Sequence, residues 1–174
     1  PLAAAAAVIN DDVGRRIEVE TPVKRVVSLS PAHTEMIYAL GCGNRLAAVS
    51  AQCDYPDEAK KLPKAGSFMN PDVEQIIRLK PDVVISGGGI QKKAISAMEK
   101  VGVRVIVLYP RSVEGIAANM KILAGMLGCP GAARKAAEFY AGVPRTRAKP
   151  VKVYAELWDK PSMAVGGASF INDL

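Results

Sequence analysis

Short apolar runs alternate with helical phrases along this chain, and that alternation narrows the fold more than any other feature. Residues 26–29, 83–85 and 103–108 are nearly continuous in Val, Ile and Leu. Strands read this way when a parallel sheet is covered on both faces. A further short strand is expected at 46–49, and 14–19 reads as a strand or hairpin arm. The helices between have legible ends. Ser30 caps the first, Pro31 takes its first position, and Gly41 and Gly43 stop it near Leu40. Residues 56–61 read as a short charged helix or turn. Asn70 caps the next helix, with Pro71 at the first position and Asp72 near its positive end. Val73, Ile76 and Ile77 form its inward stripe, Glu74, Gln75 and Arg78 lie away, and Pro81 ends it. Ala94, Met98 and Val101 mark another helix. Ser112 caps a longer one with Ile116, Met120, Leu123 and Leu127 on one face; residues 128–131 break it and 132–141 resume. The pattern predicts an α/β fold: a parallel sheet flanked by helices, with right-handed crossovers.

Ligands on such sheets bind at the carboxyl ends of the strands. The loops there are 30–34, 52–55, 67–70, 86–90 and 109–112. They bring Ser30, Pro31, Ala32, His33, Gln52, Tyr55, Phe68, Met69, Gly87, Gly88, Tyr109 and Arg111 to one edge. Hydroxyls, amides, glycines and a few rings suit a broad, shallow platform for a large organic ligand. Phe68, Met69 and Tyr109 are of the type that packs on a flat macrocycle. His33 is the sole histidine, so no metal site built from protein side chains is expected. At most it caps a metal already held by an organic chelate; the other reading is a solvent-facing residue in the first helical turn. Gly87, Gly88 and Gly89 do not complete a phosphate fingerprint, because Lys92 stands where G-x-G-x-x-G requires its third glycine. Ser28, Ser30 and Ser112 lack a G-x-S-x-G elbow, and no carboxylates pair in a motif. Neither an enzymatic activity nor a cofactor is expected.

Lys and Arg exceed Asp and Glu by 23 to 17, but the charges are scattered and only 5% of residues are aromatic. A nucleic-acid face would need a cationic stripe with stacking rings, so no nucleic-acid partner is expected. No apolar run reaches the roughly 18 residues of a membrane span. Residues 1–11 begin small and apolar and end at Asp11, which reads as the remnant of a secretory signal or a disordered end. Three cysteines leave at least one thiol outside any internal pair. Cys42 and Cys129 lie at helix ends and would join as a disulfide in an oxidising compartment; buried free thiols are the alternative.

Taken in order, residues 25–35, 51–56, 66–70, 70–85 and 151–174 resemble the periplasmic solute-binding proteins that serve ABC importers of metal chelates: cobalamin, haem and ferric siderophores. The likeness is greatest to the cobalamin branch, through Ser30-Pro31-Ala32, Asp54-Tyr55-Pro56 and the helix at 70–81. The resemblance implies two α/β lobes joined by a long helix, with the ligand in the cleft between them. The amino-terminal lobe would be residues 12–125, the linking helix and linker 126–150, and the start of the second lobe 151–174. It implies a monomer in the periplasm, a metal chelate as ligand and an ABC permease as membrane partner. Glu74 matches the surface glutamate through which the family docks on the permease. Trp158 and Ser169 match cleft-facing elements of the second lobe, just inside which the chain is expected to stop. Two other readings stay open: a tetrapyrrole metal chelatase-like enzyme on a related fold, and an interaction lobe that docks a membrane partner without ligand.

Overall fold

A computed structural model describes residues 5–142, 156–159 and 162–164. It begins with a hairpin. β1 (Ala5–Asn10) pairs antiparallel with β2 (Arg16–Thr21), from Ala5 opposite Thr21 to Asn10 opposite Arg16. Residues 5–10, within the end expected as a signal remnant or disordered, are paired strand here. Their small side chains carry little pattern, but backbone groups pair regardless of side chain.

β3 (Val26–Ser28), β4 (Leu46–Val49), β5 (Val83–Ser86) and β6 (Val105–Val107) form a parallel sheet in the order β4-β3-β5-β6. Successive residues face opposite sides of it. Val26, Val83, Ile85 and Ile106 enter one core, packed with Ile37, Leu40, Leu123 and Leu127. Val27, Val84, Val105 and Val107 enter the other, packed with Ile76, Ile95 and Met98. Each aliphatic side chain so buried contributes about 1.5–3 kcal/mol. This two-sided burial is why the strand sequences lack polar alternation.

α1 (Pro31–Ala39) follows β3, and a short α2 (Asp57–Lys60) follows β4. α3 (Val73–Arg78) leads to β5, and α4 (Lys92–Lys100) to β6. α5 (Val113–Leu127) and α6 (Ala132–Gly142) form a helical pair, with the Lys121 ammonium 4.6 Å from the Tyr140 ring centroid. Cys42, just beyond α1, is bonded to Cys129, just beyond α5, with Cα atoms 5.7 Å apart. The disulfide alternative is thus the one the structure adopts. Cys53 stays a buried free thiol between the hydroxyls of Thr34 and Ser50, each 3.2 Å away.

Several local readings shift. Ser30 does precede α1, but its side chain makes no capping bond. α3 is capped by Asp72, whose carboxylate accepts the Gln75 N–H at 2.9 Å, and not by Asn70. Asn70 and Pro71 are held in a bridge, with Ser67 N–H on the Asn70 carbonyl and a ladder contact between Gly66 and Pro71. Ile77 and Val101 are exposed, and the core takes only Val73 and Ile76 from α3. Replacing Asp72 by alanine should cost about 1 kcal/mol in urea unfolding. Asn70→Ala should be near neutral; equal losses from both would refute this cap.

Within the expected start of the second lobe, β7 (Glu156–Asp159) pairs antiparallel with β8 (Ser162–Ala164). Residues 143–150 of the expected link, and the rest of the expected second-lobe start, lie outside the described residues.

Candidate functional site

β3 lies between β4 and β5, so the chain leaves β3 to one side and returns on the other. The crevice at this switch point opens between the carboxyl ends of β3 and β5, where open α/β sheets hold ligands. β3 delivers Ser30 there and β5 delivers Gly87. A Cβ built on Gly87 would lie 3.9 Å from the Ser30 Cβ and 3.5 Å from the Phe68 ring. Ser30, Gly87 and Phe68 are therefore contiguous and form the floor.

Two glutamines hold this floor. Gln91 is only 1% exposed. Its Oε1 accepts the Ser86 hydroxyl at 2.5 Å, while Nε2 donates to the carbonyls of Leu29 at 3.1 Å and Phe68 at 2.7 Å. One carboxamide thus ties together the ends of β3 and β5 and the Phe68 loop. Gln52 completes the hold by accepting the Phe68 N–H on Oε1 at 2.7 Å. The loop closes on itself where Ser67 Oγ accepts the Asn70 N–H at 3.0 Å.

The rim is apolar and open. Tyr55 is 67% exposed and Tyr109 55%, and Met69 and Ile90 are exposed as well. Ala32 and Arg111 are exposed beside them, with Pro31 half-buried. Four large apolar side chains are thus left in water in loops at one sheet edge. Beside Tyr55 and Ala32 the surface continues into a groove of about 320 Å³ between α1, α5 and α6, lined by Met36, Ile116, Met120 and Phe139.

Two expected contacts do not reach this surface. His33 is 2% exposed, beneath Leu108, and its Nδ1 has no hydrogen-bond partner. Burial lowers its pKa from 6.5 to about 4, against a backbone hydrogen bond with Leu108 and the charge of Asp12. It is a buried, neutral ring beneath this surface and not on it. Gly88 is also buried: it turns with φ 73°, donates its N–H to Ser86 Oγ at 3.0 Å, and has Val107 2.8 Å from where a Cβ would stand. It shapes the turn and does not face the platform. Trp158 sits on β7, and Ser169 lies outside the described residues. Glu74 is exposed on α3, with Arg78 3.6 Å away. Among the described residues, no three His, Cys, Asp or Glu side chains gather to hold a metal ion.

Gln91 and Ile90 complete the site, yet neither stands out in the sequence. The only signal for Gln91 is a polar residue following a glycine turn at the end of a strand, a pattern shared by many solvated helix starts.

A family model for the periplasmic binding proteins matches residues 26–170. The vitamin B12-binding protein of Vibrio campbellii is 33% identical over 160 residues, covering 88% of this chain and 58% of the relative. The crystal structure of the periplasmic vitamin B12-binding protein of Vibrio cholerae superposes with a TM-score of 0.74 at 25% identity, covering 87% of this chain and 62% of that one. The periplasmic heme-binding protein of Pseudomonas aeruginosa superposes at 0.60 with 29% identity, covering 68% and 43%. The chain thus spans between 43% and 62% of the length of these relatives. On the parallel sheet, its switch-point platform and the match over residues 26–170, the chain belongs to the periplasmic binding protein family.

Proposed function

We propose that this chain carries the ligand-capturing lobe of the periplasmic substrate-binding component of an ABC importer. Its cargo is a metal chelate, a cobalamin-like corrinoid before haem or a ferric siderophore. It binds and hands over its ligand without converting it. Residues 12–125 make the lobe, 126–150 the link, and 151–174 open the second lobe. The protein works as a monomer and delivers its cargo to a membrane permease, on which Glu74 docks.

The observation that carries this reading is the exposed rim of Tyr55, Met69, Ile90 and Tyr109 around the Ser30–Gly87–Phe68 floor. Such a surface offers ring faces and few charges, which suits a large, flat ligand that supplies its own metal. The identity to vitamin B12-binding proteins supports a corrinoid first. The Cys42–Cys129 disulfide supports an oxidising compartment.

Titrating cyanocobalamin, haemin and a ferric siderophore separately into the full-length protein tests it, read by tryptophan fluorescence and thermal shift. Saturable binding of one, with no product formed, is expected. Tyr55→Ala should weaken that binding roughly tenfold, the loss of about one ring contact. Glu74→Ala should leave chelate binding unchanged and weaken permease binding. Metal insertion into a free porphyrin, or silence from all three chelates, would sink the proposal.

A further inference from the structure

We propose that Asp12, carried by the amino-terminal hairpin, is a positioning residue for the ligand platform, holding the loop that presents Tyr109. β6 is the edge strand of the sheet, and its outer backbone groups need partners. The turn of the hairpin supplies them. Asp12 N–H donates to the Val107 carbonyl at 3.0 Å, Asp11 Oδ2 accepts the Val107 N–H at 3.2 Å, and the Arg15 guanidinium donates to the Val105 carbonyl at 3.0 Å. Those bonds already cover the strand. The Asp12 carboxylate does something else: it reaches past Val107, the last strand residue, into the next loop.

There its Oδ2 accepts the Tyr109 N–H at 2.5 Å and the Asn119 Nδ2 at 2.9 Å. Asn119 is 1% exposed on α5, so one carboxylate joins the hairpin, the exit from β6 and the long helix. Backbone N–H bonds to an ionised carboxylate are roughly twice as strong as neutral ones. Downstream the chain is fixed again at Ser112, whose Oγ accepts the Gly115 N–H at 3.0 Å and caps α5. Tyr109 is thus tethered at its own N–H by Asp12, ahead of the next anchor at Ser112, and its side chain stands at the rim. Removing the Asp12 carboxylate therefore loosens a platform ring and takes one partner from the buried Asn119 amide, while the backbone bonds of the sheet and of α5 remain. Asp12 lies ahead of the residues that the family model matches.

The ligand half of this inference rests on the chelate-binding reading, so the test has one arm with ligand and one without. In the full-length protein labelled with fluorotyrosine, the ¹⁹F signal of Tyr109 is assigned among the five tyrosines by Tyr109→Phe. In Asp12→Ala that signal should shift and broaden while the other tyrosines hold; an unchanged Tyr109 signal overturns the proposal whether or not any chelate binds. With cyanocobalamin, Asp12→Ala should weaken binding roughly tenfold, about one ring contact. Asp12→Ala combined with Tyr109→Ala should bind no worse than Tyr109→Ala alone, since coupled residues are non-additive. An undiminished second loss in the Tyr109→Ala background would mark a general structural role and overturn the proposal. Asp12→Asn, which keeps the shape and one acceptor, should show a smaller shift and a smaller loss, and covers the case that the alanine variant does not fold. Wild-type protein that binds no chelate would refute the functional reading and leave the fluorine signal to decide on Asp12.

Discussion

Gln91→Leu should destabilise the protein by roughly 2–5 kcal/mol and abolish measurable chelate binding, because each buried polar partner left unsatisfied costs about 1–3 kcal/mol. The partners are the carbonyls of Leu29 and Phe68 and the hydroxyl of Ser86. Leucine fits the volume and supplies no bond. Loss of the tie also frees the Phe68 carbonyl, while its N–H stays on Gln52. Gln52→Ala, at an exposed position, should cost under about 1 kcal/mol yet still weaken binding. Urea unfolding and chelate titration of the two variants together check this. A Gln91→Leu protein with wild-type stability and affinity would mean that the three loops hold their geometry unaided.

Acidification should cost the protein about 3 kcal/mol through His33 alone. In the folded state the ring stays neutral down to about pH 4, whereas the unfolded chain takes up a proton near 6.5. Between those values the unfolded state binds more protons, so stability falls as pH falls through 6.5 and the loss is complete below about 4. Asp11 acts in a lower window. Burial pushes its carboxyl up, but hydrogen bonds from the Arg15 side chain and from the Arg15 and Val107 amides, with the Arg15 charge, outweigh it and leave the pKa below 3.8. Its contribution is present above 3.8 and is lost as pH falls through the depressed value, after the His33 effect has saturated. Urea unfolding of wild type and His33→Gln, near neutral pH and near pH 4, separates the two. The variant should lose most of the slope in the upper window; equal slopes would place the titration elsewhere.

Much of the fold was legible because the strands advertise themselves. Val27, Val84 and Val105 alternate with Val26, Val83 and Ile106 into two cores, which leaves continuous apolar runs that only a doubly covered parallel sheet explains. The α3 cap was misplaced because Asn70-Pro71 is as good a start signal as the Asp72 that acts. What excludes Asn70 is its bond to Ser67 and the bridge from Gly66 to Pro71, which keep the chain extended until Asp72. Tyr55, Phe68, Met69 and Tyr109 were legible as rim candidates from their place in strand-end loops. His33 was not legible as core, since its side chain is polar and its neighbours in sequence do not bury it.

The periodicities, the parallel α/β class and the loops that meet at one sheet edge are written in the order of residues, because they follow from short-range sterics and from the spacing of apolar residues. The strand order β4-β3-β5-β6, and with it the switch point that sets Ser30 against Gly87, emerges from the assembled sheet alone. The same assembly decides which polar side chains are buried and bonded. Gln91 meets Leu29 across 62 positions of sequence, and Asp12 meets Tyr109 across 97. Contacts over such separations form only once the sheet has assembled, so no local pattern encodes them.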